Sequence, residues 1–445
     1  MDQQSWWDNV FQRRRGLLVF LCCAFLFRLA FGLCSEFWYE DEIQIYLLGL
    51  KFYSTGAWPY FGPDITFQVQ LPGALQSLLI ALPLFALPIP EAPFILLNIL
   101  SFLSLCLLAW YCIKRLPETP RWFIWIWLMT APWTLNYSTH LVNPSYLLPG
   151  SIVFFVGALE IYPWTTRHLI SSRVANVMMG AALCWSMQLH MSWVILVPFV
   201  IASFYFQLRN KGKGAFASLG WFFFGAILTG SLLLPTFLKY GLTAGSGGTA
   251  ETIGFNAANL LNIFNLTEGI LARFLSFASF EVARFLGGNS VKRMAFVRAE
   301  LWVIPFLVFL LAVGILQPAS MIALWFKQAH PQRDWRAIKY LTLFTVLLLY
   351  GFFIFASKPP SSHTFYITFP IAMIYSLYCW NYFLSKRRWQ TFAKVFLACG
   401  IVFSIGLAAY RFYRVSLYVD RGRPLGAIVQ RDYHILGERR PGARY

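Results

Sequence analysis

The chain reads as an all-α polytopic membrane protein, and three observations carry that reading. Apolar runs of about twenty residues, the length of a bilayer-crossing helix, recur from residue 16 to residue 410. Hydrophobic residues make up 58% of the sequence and charged residues 12%, about half the charge of an ordinary soluble domain. Lys and Arg gather in the short stretches between alternate runs, the pattern that sets helix orientation with the basic loops in the cytoplasm. The period-2 alternation of an outer-membrane barrel is absent. A net charge of +18 would suggest nucleic acid in a soluble protein. Here it reports orientation, and no nucleic-acid partner is expected.

The first run, residues 16–35, follows Arg13-Arg-Arg15, which places the N-terminus in the cytoplasm. It lacks a small-residue cleavage site and reads as a retained helix. Arg28 lies inside it. An arginine at that depth either faces a partner or polar cavity, or snorkels to the interface. Residues 36–90 form the first outer loop, with an amphipathic helix over 41–54 that ends at Gly56-Ala-Trp-Pro59. Residues 73–87 are apolar but short and bracketed by Pro72, Pro83, Pro88 and Pro90, which predicts an interfacial or re-entrant helix. Further spans are expected over 91–113, 121–137, 145–162, 174–189, 192–208 and 216–237. A long outer segment, 238–298, follows, and then spans over 300–325, 340–357, 364–385 and 391–410. About eleven crossings put the basic tail 411–445 outside. The eight cysteines lie in or at the ends of apolar runs without ligand spacing, so they read as packing residues.

The chemistry-bearing residues concentrate on the outer side. Only 18 residues of 445 are acidic, yet Glu36, Glu40, Asp41 and Glu42 fall within seven positions. Such a group is either a solvated loop or an acid/base centre, because a carboxylate takes a proton from a hydroxyl nucleophile. Glu36 and Glu40 read as loop charges, which leaves Asp41 first and Glu42 second. Lys51, His140 with Asn143, Gln188 with His190, Lys292/Arg293/Arg298, Lys358, His363 and Tyr366 belong to the same side. Arg, Lys and His hold phosphate oxygens and stabilise a departing phosphate. Each also has a plainer role: the basic cluster on lipid headgroups, His190 as a hydrogen-bonded packing residue, and His363 as a helix cap.

From Arg28 through Tyr39, Asp41, Glu42, Tyr46 and Lys51 to Leu71-Pro-Gly73, the chain resembles the GT-C glycosyltransferases. It is most similar there to bacterial membrane enzymes of the protein O-mannosyltransferase and aminoarabinose-transferase kind. The likeness covers most of the chain as architecture, and as motif about residues 28–73. It implies a GT-C fold and a polyprenyl-phosphate-linked sugar donor. It further implies inverting transfer to a lipid, glycan or protein hydroxyl, at a site facing the periplasm from a bacterial inner membrane. The first-loop acid that acts as general base corresponds to Asp41, with Glu42 beside it. Arg28, Lys51, His190, Arg293, Lys358, His363 and Tyr366 are the candidates for binding substrate and phosphate. Relatives often carry a second acid in the next outer loop, where this chain has Asn143. No cofactor is required, because a lipid phosphate leaves without nucleotide chemistry. A divalent ion between Asp41 and the donor phosphate would suit the preference of hard cations for carboxylate oxygen. The alternatives are a transporter or lipid flippase, or another membrane transferase such as an oligosaccharide ligase or an acyltransferase. The ligase would make Lys292–Arg298 and His363 central.

Overall fold

The computed structural model describes residues 11, 13–36, 40–65, 69–163, 167–242, 255–262, 267–279, 283–286, 290–327, 333–356 and 362–414. It is a helical membrane protein. In chain order the main elements are α1 (Arg14–Ser35), α2 (Glu40–Thr55), β1 (Phe61–Ile65), β2 (Val69–Pro72), α3 (Leu75–Ala86) and α4 (Ala92–Arg115). Next come α5 (Arg121–Thr130), α6 (Pro132–Tyr137), α7 (Leu147–Ile161), α8 (Ser172–Met187), α9 (Val197–Lys211) and α10 (Ala215–Gly230). The last four are α11 (Ile304–Phe326), α12 (Arg333–Ile354), α13 (Phe369–Leu384) and α14 (Arg387–Arg414). Short helical turns occupy parts of the long segment between α10 and α11.

Six helical segments among the described residues are long and apolar enough to cross a membrane: Arg14–Ser35, Ala92–Arg115, Met191–Tyr240, Leu301–Phe326, Asp334–Ile354 and Arg387–Arg414. Their outward faces carry large apolar side chains such as Leu18, Phe223, Ile227, Val308, Leu316 and Leu347. On a soluble monomer such a surface would be an association liability; against lipid tails it is the stable arrangement. The centre of the bundle is built from shorter helices. α7 has 15 residues, about 22 Å of helix at 1.5 Å per residue, and α13 has 16. Both are buried almost all round, which explains why neither has a polar stripe.

Two expectations need correction, and one loop gains an element. Residues 121–137 do not form one span, because the helix breaks between α5 and α6. Pro132 has no N–H to give to Leu128 O, and the Thr134 hydroxyl reaches that carbonyl instead, 3.2 Å away. Between the two helices of the first outer loop the chain also forms a short hairpin. β1 and β2 pair antiparallel with Phe61 opposite Pro72 and Ile65 opposite Val69, with an irregularity between Phe61 and Asp64. The final helix continues past residue 410, so Arg411 and Arg414 of the expected tail belong to α14; residues 415–445 lie outside the described residues.

Glycines let helices approach closely. A Cβ on Gly180 of α8 would stand 2.0 Å from Phe222 O, and one on Gly225 of α10 would stand 2.1 Å from Val177 O. Small residues at such a crossing bring the two backbones into contact, the usual means of helix association in lipid. Hydrogen bonds also tie helix ends together. At the end holding Arg115, that side chain pairs with Glu160 and reaches Arg167 O, while Glu160 accepts from Leu169 N at 2.7 Å and Ile170 N at 3.1 Å. At the opposite end, Asn259 Nδ2 donates to Phe353 O and Ala356 O, both at 2.8 Å. Arg411 donates to Asn136 Oδ1 at 2.8 Å and to Phe285 O at 2.5 Å.

Candidate functional site

The acidic segment starts where α1 stops. Ser35 closes that helix and Glu36 turns the chain in extended conformation. Glu36 was expected to be a solvated loop charge, and the structure corrects this: it is 1% exposed and its Oε2 accepts from Leu141 N at 3.2 Å. The reason is geometric. The loop after α6 folds over the end of α1 and presents a backbone N–H where a carboxylate can meet it. Asp41 and Glu42 lie in the first turn of α2, and Glu42 is buried at 6% exposure. The side chains of Glu40 and Asp41 lie outside the described residues.

His140 stands beside Glu36. Its Nε2 is 2.8 Å from Ser35 Oγ and its Nδ1 is 3.2 Å from Thr139 Oγ1. Both hydroxyls already donate to backbone carbonyls, of Phe31 and Leu135 respectively, so each offers the ring only a lone pair. Burial, reinforced by the Arg411 charge, pushes His140 down to about 3 and keeps the ring neutral. A neutral ring has one N–H, and the shorter contact assigns it to Nε2. Tyr146 adds a buried hydroxyl with no partner among the described residues, near enough to Glu36 to feel its charge.

From Tyr146 the same end of the bundle leads to the histidines. Tyr146 O accepts from Trp185 Nε1 at 2.8 Å. One turn on is Gln188, whose Nε2 donates to Cys184 O at 3.1 Å and to Thr229 O at 2.9 Å, leaving Oε1 buried and without a partner among the described residues. Gly73, from the first outer loop, packs against Gln188. Its φ of +110° and a hypothetical Cβ only 2.5 Å from Gln188 Oε1 both require glycine there. His190 follows. Its Nδ1 accepts from Ser192 N at 3.1 Å and lies 2.8 Å from Ser192 Oγ, which leaves the proton on Nε2. Its ring meets the ring of His363 at right angles, centroids 6.3 Å apart. Burial first, then His363, hold His190 down to about 3.

The expected residues therefore divide. The structure joins His190 to His363 and leads from them, through Gln188, Trp185 and Tyr146, to Glu36. Lys51 lies half-buried in the C-terminal half of α2. Arg293 is exposed on the helix Ser290–Ala299, which Phe296 packs against Phe403 and Tyr410 of α14, and no described contact joins it to the histidine pair. Lys358 lies outside the described residues. Two candidates are engaged within the bundle. Arg28 is fully buried and its donors are spent on the α5–α6 break: Met129 O at 2.9 Å, Thr134 O at 3.1 Å, Thr134 Oγ1 at 3.3 Å and Ser138 Oγ at 2.7 Å. It clasps the kink and has no described donor left over for a phosphate except a buried Nε. Tyr366 is likewise fully buried, stacked on Trp133 with its hydroxyl 3.4 Å from Trp133 O. Sequence reasoning missed Glu36 and Tyr146. Glu36 carried the same charge as its neighbours and so gave no separate signal, and nothing in the pattern around Tyr146 marked its hydroxyl as unpartnered.

Comparison of the chain with protein-family models, with curated proteins and with solved structures gives no match.

Proposed function

We propose that the chain is an integral-membrane glycosyltransferase of GT-C type. It crosses the bilayer about eleven times and moves a sugar from a polyprenyl-phosphate donor to a lipid, glycan or protein hydroxyl on the extracytoplasmic face. The observation that carries this reading is the state of the acidic segment. Glu36 and Glu42 are folded into the bundle rather than solvated, at the end that also holds His190 and His363. Carboxylates taken out of water are costly, and such groups cluster where chemistry needs them.

In the proposed reaction Asp41 accepts the acceptor's hydroxyl proton as that oxygen bonds to the anomeric carbon. The bond from that carbon to the phosphate oxygen breaks on the opposite face, so the configuration inverts. The leaving phosphate takes up the negative charge, which the Nε2–H of His190, together with His363, Lys51, Lys358 and Arg293, would stabilise. Among the described residues no three His, Cys, Asp or Glu side chains stand together, so a divalent ion would have Asp41, Glu42 and the donor phosphate to bind it. The transporter alternative rests mainly on Arg28, and that guanidinium is already bound to backbone carbonyls.

The test is transfer from a synthetic polyprenyl-phosphate sugar in proteoliposomes. Asp41→Asn keeps the shape and removes the base, so turnover falls by about 10²-fold or more while donor binding persists. Near-normal turnover by this variant would refute the assignment.

A further inference from the structure

Towards the end of the bundle that holds Arg115, α11 and α12 leave a crevice between them. Its volume is about 210 Å³, and its walls include Met321, Ile322 and Trp325 of α11, Leu343 and Val346 of α12, and Tyr375 of α13. The crevice opens sideways. Ile322 is 43% exposed and Leu343 41%, on flanks of helices that are long and apolar enough to cross a membrane. It is smaller than the pocket of a whole small ligand, so its size suits a length of hydrocarbon chain.

A cation stands at one end of it. Lys339 precedes Leu343 by four residues and Val346 by seven, so it shares their face of α12. Its ammonium sits 5.3 Å from the ring centre of Trp325 and 5.9 Å from that of Trp335. Trp325 is therefore both a wall of the crevice and a seat for the charge. No carboxylate pairs with Lys339 among the described residues. Asp334, the acid nearest to it along the chain, lines a different gap, with Arg115, Ala337 and Ile338. Arg336, one turn before Lys339 and exposed, adds a second positive charge on the same helix. Lys339 lies five residues into the apolar stretch that begins at Asp334, about 8 Å along the helix. That is the depth of a headgroup boundary, where aromatic side chains also settle; Tyr340, 65% exposed, accompanies the two tryptophans there.

We propose that this crevice is a site for an anionic glycerophospholipid of the cytoplasmic leaflet, one acyl chain lying between α11 and α12 and the phosphate meeting Lys339 and Arg336. Charge decides the occupant. A cation without a carboxylate, at the end of an apolar crevice open to lipid, matches a molecule with a negative head on an apolar chain. A free phosphate leaves the crevice unfilled, and a lipid without net charge leaves the cations uncompensated. The site is independent of the glycosyltransferase reading and stands or falls apart from it.

The probe is phosphatidylglycerol with a photoreactive diazirine in one acyl chain, bound to the purified full chain in detergent, with crosslinks mapped by peptide mass spectrometry. Labelling should fall on peptides around residues 321–326 and 339–346. Unlabelled phosphatidylglycerol should compete for it, and phosphatidylcholine and glycerol 3-phosphate far less well. Lys339→Gln removes the charge and keeps most of the side chain's length, so affinity should fall about fivefold, the weight of one basic residue against anionic lipid. Lys339→Arg should retain binding, and Val346→Phe, which fills the crevice, should abolish labelling of these peptides. Phosphatidylcholine competing as well as phosphatidylglycerol in the unmodified chain would overturn the anionic ligand. Glycerol 3-phosphate competing as well would overturn the role of the crevice. Labelling elsewhere, or unchanged affinity in a Lys339→Gln protein that runs folded and monodisperse, would overturn the site.

Discussion

Replacing Arg28 by leucine tests whether this arginine is a structural clasp or a substrate ligand. The magnitude follows from what each of its four acceptors keeps. Thr134 O still accepts from Ser138 N at 3.3 Å and from the Ser138 hydroxyl. Thr134 Oγ1 still reaches Ala131 O at 2.8 Å. Ser138 Oγ loses Arg28 but keeps its own bond to Thr134 O. Met129 O, by contrast, loses the one partner described for it, 2.9 Å away. An orphaned buried carbonyl costs about 1–3 kcal/mol, and each charge-assisted bond lost adds to that, so Arg28→Leu should destabilise by about 2–4 kcal/mol. The assay is thermal unfolding of the purified protein in detergent, followed by loss of the monodisperse peak, beside donor KM. A clasp lowers the unfolding temperature and leaves KM of the surviving folded fraction nearly unchanged. Unchanged unfolding with a raised KM would refute the clasp and return Arg28 to the phosphate site.

Further outcomes follow from the same geometry. Gly180→Ala should lower the unfolding temperature, although alanine is intrinsically the better helix former by about 1 kcal/mol. A Cβ there falls 2.0 Å from Phe222 O, and a higher melting point would contradict the close α8–α10 crossing. His140 and His190 are both held at about 3 in the folded chain, against an ordinary 6.5. Between those values the unfolded chain binds the extra protons, so their contribution is complete above about pH 6.5 and drains away as pH falls towards 3. His190→Asn, whose Oδ1 can still accept from Ser192 N, should flatten its share of that acid sensitivity in pH-dependent unfolding curves. An unaltered curve would remove His190 from the account.

How much could be read in advance depended on the range of the forces involved. The helix expected over 41–54 is found at Glu40–Thr55, and that expected over 91–113 at Ala92–Arg115, because apolar periodicity and glycine or proline stops are local. The break at Pro132 was also written locally but was overridden in the reading by the apolar run around it. Glu36 could not be separated from Glu40, Asp41 and Glu42, since burial of one carboxylate depended on a backbone N–H more than a hundred positions away.

By itself the sequence determined that this is a helical membrane protein with acidic and basic groups gathered in particular inter-helix segments. Bilayer length and hydropathy act on each stretch independently, so they survive in one dimension. The tertiary structure alone decided which polar groups meet. It spent Arg28 on carbonyls and hydroxyls around the α5–α6 break, set His190 against His363, and drew Glu36 out of water beside His140. Those outcomes depend on donors and acceptors brought together by helix packing, and no spacing along the chain records them.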